Sequence, residues 1–539
     1  MSFPKLAACR NITRSAKRLA PFATLFLSCL LCETLALGQD VRTYHNNNAR
    51  TGLYTAETIL TIANVNATSF GKLFTIPVDG KVDAQPLYLS SVGTKSGTHN
   101  LLIVATEHDS IYAFNADTGA SVWHIRTLKS GETPSDNRGC NQVSPEIGIT
   151  ATPVIARPAG SNGTIYAVAM SKDSTGKYHQ RLHAIDAATG NELFHGPVEI
   201  NGKYPGRGDN SSGGYVIFDP SQYKERSGLL LLNGIVYLAW ASHCDFRPYT
   251  GWIMGYKAST LAPVTVLNIT PNGNEAAFWG SGAGLAGDSS FNIYALAANG
   301  VFDSSLNPQG FPSSGDYGNA FLKISTNGGL AVADYFEMDN QQAENDSDTD
   351  LGSGGALVLP NMKDSSGNTW QLAAGAGKDG NLYLVNRAAM GKFHPNGNNI
   401  YQELPGVLPG GIWSTPASAF GKLYFGPVGS PLLAFQFKNA RLLSAAVAQS
   451  SNGFGYPGAT PSISANGSTN AIVWAVENAN PAVLHAYDAS NLHELYNTNQ
   501  AANNRDHFGP GNKFITPTIA HGKVYVGTIN GIGVFGLLK

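Results

Sequence analysis

The chain repeats itself, and that repetition limits the folds open to it more than any other feature. One unit runs Ala84-Gln85-Pro86-Leu87-Tyr88, Leu101-Leu102-Ile103-Val104-Ala105-Thr106, Ser110-Ile111-Tyr112-Ala113-Phe114, then Thr118-Gly119 and Val122-Trp123. The next runs Ala151-Thr152-Pro153-Val154-Ile155, Thr164-Ile165-Tyr166-Ala167-Val168, Leu182-His183-Ala184-Ile185-Asp186, Thr189-Gly190 and Leu193-Phe194. A later copy runs Ala459-Thr460-Pro461-Ser462-Ile463, Ile472-Val473-Trp474-Ala475-Val476, Leu484-His485-Ala486-Tyr487-Asp488 and Leu495-Tyr496. Each unit is four short apolar or alternating runs, rich in Val, Ile, Tyr and Trp and separated by Gly, Asn and Asp. Such runs read as β-strands joined by turns. Four strands per unit, at a period of roughly 40 to 75 residues, is the pattern of a propeller blade. Further units fall near 229–267, 278–336, 352–393, 412–443 and 514–537, which makes eight. Length alone would divide 539 residues into several domains, but a repeat at this period replaces that reading. The expected fold is all-β: a single eight-bladed β-propeller.

The two ends of the series fit each other. The last unit has Thr516-Pro517-Thr518-Ile519, Lys523-Val524-Tyr525-Val526-Gly527 and Ile532-Gly533-Val534-Phe535, and then stops one strand short. A spare strand, Lys72-Leu73-Phe74-Thr75-Ile76, precedes the first unit. Pairing the spare strand with the last blade would close the ring and remove both exposed edges.

The N-terminus reads as an export signal. Lys5, Arg10, Arg14, Lys17 and Arg18 precede an apolar run from about 19 to 31, and Ala36-Leu37-Gly38 forms a small-x-small cleavage site. An uncleaved anchor, or lipid attachment at Cys29 or Cys32, are the alternatives. The expected division is 1–38 signal peptide, 39–69 N-terminal segment and 70–539 propeller, with no transmembrane segment after cleavage. The whole chain carries 35 basic and 37 acidic residues; losing five basic residues and Glu33 leaves 30 against 36, a net charge of −6. An acidic surface argues against nucleic acid as a partner. Only Cys140 and Cys244 remain of five cysteines, an even pair suited to an oxidising compartment, periplasmic or extracellular.

The stretch from Ala113 through Thr118-Gly119 to Trp123, and its copy from Ala184 and Asp186 through Thr189-Gly190 to Phe194, resembles the tryptophan-docking repeat of pyrroloquinoline quinone (PQQ) propellers. The resemblance covers about residues 70 to 539. It is closest to secreted bacterial PQQ-repeat proteins, with Gly148-Ile149-Thr150-Ala151-Thr152-Pro153, Ala241-Ser242-His243-Cys244-Asp245 and Leu351-Gly352-Ser353-Gly354-Gly355 also matching. It implies that Trp123 and Phe194 are structural docking residues packed between blades. For the dehydrogenases among these proteins it implies PQQ beside a pair of adjacent cysteines, a stacking Trp, a calcium ion and an Asp base. The two mature cysteines here are about a hundred residues apart, so the most specific of those markers is missing.

In such a blade the turn between second and third strands and the crossing to the next blade emerge on one face. Cys140 lies in the first crossing and Cys244 in the second-to-third turn of blade three, so both fall on that face in nearby blades. A disulfide between them is expected; two free buried thiols are the alternative. The same face collects Glu107, His108, Glu146, His243, Asp245, Lys378, Trp413 and Glu477, the candidates for a ligand site at the mouth of the central channel. Ordinary solvated turn residues are the competing reading. Asp346, Asp348 and Asp350 have the alternating spacing of a calcium loop, but Leu351 stands where an EF-hand needs Gly and no Glu follows. No zinc spacing, phosphate loop or nucleophile elbow appears. No catalytic residue is assigned. Three functions stay open: an exported, monomeric, non-catalytic propeller binding a protein, glycan or small molecule; a PQQ- and calcium-dependent oxidoreductase; and an envelope scaffold.

Overall fold

The computed structural model describes residues 39–539; the leader expected at 1–38 lies outside the described residues. Eight sheets of four or more strands follow one another, with two small accessory sheets at 203–217 and 362–370. The first sheet is Leu87–Thr94, Gly97–Ala105, Ser110–Asn115 and Ser121–Arg126, in that order and antiparallel. Apart from Thr133–Asp136, Glu146–Ile147 and Tyr223–Glu225, which extend the second and third, the second to seventh begin at Val154, Leu230, Ala286, Leu357, Ala417 and Ser462. The fifth and sixth run on to Leu404 and Phe454, past the limits that the repeats suggest.

Strand character explains the burial. In Gly97–Ala105 the last five residues are all buried, because both faces of a middle strand pack on neighbouring sheets. The outermost strand, Ser121–Arg126, has no fully buried residue. Cores therefore lie between sheets: one cluster joins Trp474 and Leu484 of the seventh sheet to Ile519, Val524 and Phe535 of the eighth. Another joins Ile532 and Val534 to Leu101 and Ile103 and runs on to Ile165, so the last, first and second sheets share one continuous core.

The last sheet is completed from the front of the chain. Phe70–Pro77 pairs antiparallel with Gly531–Leu537, placing Phe70 opposite Leu537 and Ile76 opposite Ile532. The seam this creates matches the others. Trp123 leaves the first sheet to donate from Nε1 to the Ala187 carbonyl at 3.0 Å. It lies over Gly190 (φ +74°), where an added Cβ would meet its ring at 2.9 Å. Phe74 covers Gly119 (φ +76°) in the same way at 2.8 Å. A tyrosine hydroxyl also caps a neighbouring turn carbonyl at three seams: Tyr166 to Ala258, Tyr424 to Ala489 and Tyr525 to Ala116, at 2.8, 2.7 and 3.1 Å. The last of these joins the eighth sheet to the first.

Phe194 corrects the motif reading. It is 38% exposed and does not dock. Phe194 and His195 both have φ 55°, which swings the ring outwards, and Leu193 packs against the third sheet's cluster instead.

Residues 41–57 form a strap that touches every sheet in turn. Val41 bridges to Tyr88, Arg42 accepts from Ile155 N–H, and Asn48 donates to Leu231 and accepts from Gly287. Ala49 then accepts from Val358 and Thr51 from Ser418; Leu53–Tyr54 pairs parallel with Ile463 and Ser464; and Glu57 accepts from Gly522 N–H. The order of contacts is the order of the sheets. Arg50 sits at its centre, fully buried, donating to the carbonyls of Tyr44, Leu285 and Leu229 and to Thr43 Oγ1.

Candidate functional site

A cavity of about 350 Å³ gathers side chains from loops ahead of or within most of the sheets. Its wall starts in the third sheet. Tyr223–Glu225 extends the pairing of Ile235–Ser242, placing Lys224 opposite Ala241 and Glu225 opposite Trp240. Lys224 and Arg226, two apart, line the cavity, while Glu225 between them turns into the protein, buried with neither carboxylate oxygen partnered. Alternation along extended backbone separates them in this way. Burial pushes the Glu225 carboxyl well above its ordinary value.

Aromatic rings form the rest of the wall: Trp279, Trp413, Tyr456 and Phe514. Trp413 and Tyr456 meet edge to face at 6.1 Å, Trp279 and Phe514 at 6.4 Å, and Arg226 lies 4.7 Å from the Phe514 ring centre. The wall's charged groups are equal in number: Lys224, Arg226 and Lys378 face Asp245, Asp348 and Asp350. Burial, then the neighbouring Arg226 guanidinium, brings the Lys224 amine down to about 7. Its Nζ donates to the Ser242 carbonyl at 2.6 Å. Lys378 is bound to Asp348 at 2.8 Å and Asp350 at 2.6 Å. Burial raises the Asp350 carboxyl to about 6, against the pull of Lys378.

The structure brings together three of the eight expected ligand-face residues and two of the three aspartates. Lys378, Trp413, Asp245, Asp348 and Asp350 line the cavity, as does Cys244, which forms a disulfide with Cys140 across 5.6 Å between Cα atoms. Asp245 is occupied, accepting from Ser242 Oγ at 2.8 Å and Tyr249 OH at 2.9 Å. The others stand elsewhere. Glu107 is buried to one side, accepting from Gly148 N–H and Thr150 Oγ1. Burial and the nearby Asp83 hold its carboxyl well above the usual range. His108 pairs with Glu146 at 2.8 Å, bridging the first sheet to the strand pair that flanks the second. His243 is buried with neither ring nitrogen bonded, and burial with Lys224 nearby pushes it down to about 3, so it is neutral. Glu477 faces inwards to His485 at 3.6 Å.

The three aspartates do not converge as a calcium loop. Asp346 ends the short helix Gln341–Asp346 and accepts from Gln342, while Asp348 and Asp350 hold Lys378. Among the described residues no three His, Cys, Asp or Glu side chains are placed to share an ion.

Sequence reasoning missed Lys224, Arg226, Trp279, Tyr456 and Phe514. A signal existed for Phe514. Trp413-Ser414-Thr415-Pro416 and Phe514-Ile515-Thr516-Pro517 are the same repeat position, three residues before the Pro. Lys224 and Arg226 announce themselves only as an alternating charge pair ahead of an apolar run.

No family model and no curated protein matches the sequence. Solved structures do match. A quinohemoprotein alcohol dehydrogenase from Comamonas testosteroni aligns over 92% of this chain and 80% of its own, at TM-score 0.60 and 13% identity. One from Pseudomonas putida HK5 aligns over the same shares at 0.60 and 12%. A europium-containing methanol dehydrogenase aligns over 92% and 98%, at 0.56 and 11%. The chain therefore has the quinoprotein-type β-propeller fold; identities this low speak to fold alone.

Proposed function

We propose that this chain is an exported, monomeric protein whose residues 70–539 form one eight-bladed propeller, with the strap in 39–69 crossing one end of the channel. It binds a small, flat, anionic ligand in the cavity at the other end, without catalysis. The carrying observation is the cavity wall: four aromatic rings enclosing about 350 Å³, with two cations, Arg226 and Lys224, that none of the wall carboxylates pairs, since Asp348 and Asp350 hold Lys378 and Asp245 holds two hydroxyls. Flat ligands gain from aromatic walls, and cations shielded from water favour a carboxylate over a neutral group. The strap's ordered visit to all eight sheets supports the ring and the blade count. The disulfide supports export.

The carboxylates argue against catalysis. Asp245, Asp348 and Asp350 are the acidic groups on the wall, and each already holds a hydroxyl or Lys378. None stands free as a general base.

A second reading, a quinone-dependent dehydrogenase, draws support from the fold likeness and from the cavity's chemistry. A quinone bearing carboxylates suits Arg226, Lys224 and the walls of Trp279 and Trp413. A calcium ion does not suit the donors present, since the wall carboxylates are spoken for and no acidic cluster stands ready among the described residues.

Fluorescence titration of the wall tryptophans with PQQ and with aromatic carboxylates, alongside a dye-linked alcohol dehydrogenase assay with PQQ and Ca²⁺, tests the proposal. Saturable quenching without turnover is expected. Turnover would install the second reading; no binding of any anion would remove both.

A further inference from the structure

Two cations in the cavity wall lack the partners that buried charges normally have. Lys378 is neutralised by two aspartates. Arg226 is 4% exposed, its Nε has no partner, and among the described residues its guanidinium makes neither hydrogen bond nor ion pair. Its nearest acidic influence comes from Asp83 and Glu107; Asp83 is held by Lys81 at 3.2 Å and Asn512 at 2.9 Å, and Glu107 by Gly148 and Thr150. A guanidinium presents a planar fork suited to carboxylates, and burying one unpaired is costly. Lys224, also 4% exposed, has one carbonyl as acceptor and no carboxylate. A lysine ammonium normally holds three acceptors. Burial and Arg226 favour its neutral amine, the nucleophilic form.

We propose that the cavity takes a small ligand bearing both a carboxylate and a carbonyl group, the carboxylate seated on Arg226 and the carbonyl carbon condensed with the Lys224 amine as an imine. This rests on the binding role above and adds a covalent step to it. The amine nitrogen attacks the carbonyl carbon and gives up its two protons to the carbonyl oxygen, which leaves as water. A carbon–nitrogen double bond replaces the carbon–oxygen one, with no change of oxidation state. The two residues lie two apart on one extended segment and share one cavity wall, so a single rigid ligand spans both. The aromatic rings favour a conjugated carbonyl.

The probe is 4-formylbenzoate, trapped with cyanoborohydride and located by peptide mass mapping of the full mature chain. One adduct is expected, on Lys224, suppressed by 4-methylbenzoate, which has the carboxylate and no carbonyl. Arg226→Gln should weaken labelling about tenfold at sub-saturating probe by removing a charge-assisted anchor. Lys224→Arg should abolish the adduct while 4-methylbenzoate still binds, with an affinity that no longer falls as pH rises. Labelling spread over Lys378, Lys513 or other lysines, or labelling indifferent to 4-methylbenzoate, overturns the inference. Binding of 4-methylbenzoate with no trapped adduct overturns it too, and leaves the binding role standing. Absence of binding by either compound removes both. The competition arm uses the unmodified protein, so it decides the matter even if a variant fails to fold.

Discussion

Replacing Arg50 by alanine should loosen the strap without unmaking the sheets. Arg50 is fully buried, has no ion-pair partner, and donates to the carbonyls of Tyr44 at 2.8 Å and Leu285 at 2.9 Å. Neither carbonyl has another donor among the described residues. An orphaned buried acceptor costs about 1–3 kcal/mol, so the pair costs about 2–6 kcal/mol. Part is recovered, because burial already drives the guanidinium down to about 9, and the substitution removes a buried charge. A net local loss of about 2–4 kcal/mol follows. Hydrogen exchange read by mass spectrometry should show amides of 41–54 exchanging about 30- to 1,000-fold faster. Peptides from Leu101–Ala105 should be unchanged. Strap exchange within about twofold of wild type would refute the reasoning, since the lost donors would then have been replaced at no cost.

Three further outcomes are expected. Cys140→Ser with Cys244→Ser removes a cross-link spanning 104 residues, which chain entropy rates at up to about 4.7 kcal/mol; the urea midpoint should fall and ligand affinity with it, because Cys244 lines the cavity. His485 is buried, which alone would lower it, yet Glu477 and Glu494 raise it above its ordinary 6.5. It gains a proton preference on folding, so its stabilisation is full below about pH 6.5 and is lost as pH rises through the folded value. Urea midpoints measured across that window should fall with pH, and His485→Gln should flatten the change. The Lys224 amine, brought to about 7 by burial and Arg226, loses its charge as pH rises through that value. Affinity for an aromatic carboxylate should therefore be several-fold weaker at about pH 8.5 than at about pH 6, and Lys224→Arg should remove the dependence.

The repeats made the sheets legible because middle strands are packed on both faces and so read as continuous apolar runs, as in Leu101–Ala105 and Ile472–Val476. The closing strand was legible because a surplus at one end met a deficit at the other. The strap was not. Thr43-Tyr44-His45-Asn46-Asn47-Asn48 carries no hydrophobic period, and its stability comes from bonds to backbone groups as distant as the Pro461 carbonyl, 2.8 Å from His45 Nε2. Phe194 misled because spacing alone placed the ring, while a left-handed turn turned it outwards. In the site, Lys378, Trp413 and Asp245 stood out as polar or aromatic groups in turns. Lys224 and Arg226 did not stand out, since the sequence does not say that this segment faces a cavity.

Ring closure admits a test on the unmodified protein. Lys523 of the eighth sheet and Asp117 of the first form an ion pair at 2.8 Å, 406 residues apart. A zero-length carbodiimide cross-linker should join them within single molecules, as it should Lys172 and Asp136, paired at 2.7 Å beside the second sheet. Recovery of the Lys523–Asp117 cross-linked peptide from monomeric protein is the predicted result. Cross-linking of Lys172 to Asp136 with none between Lys523 and Asp117 would contradict the closed ring.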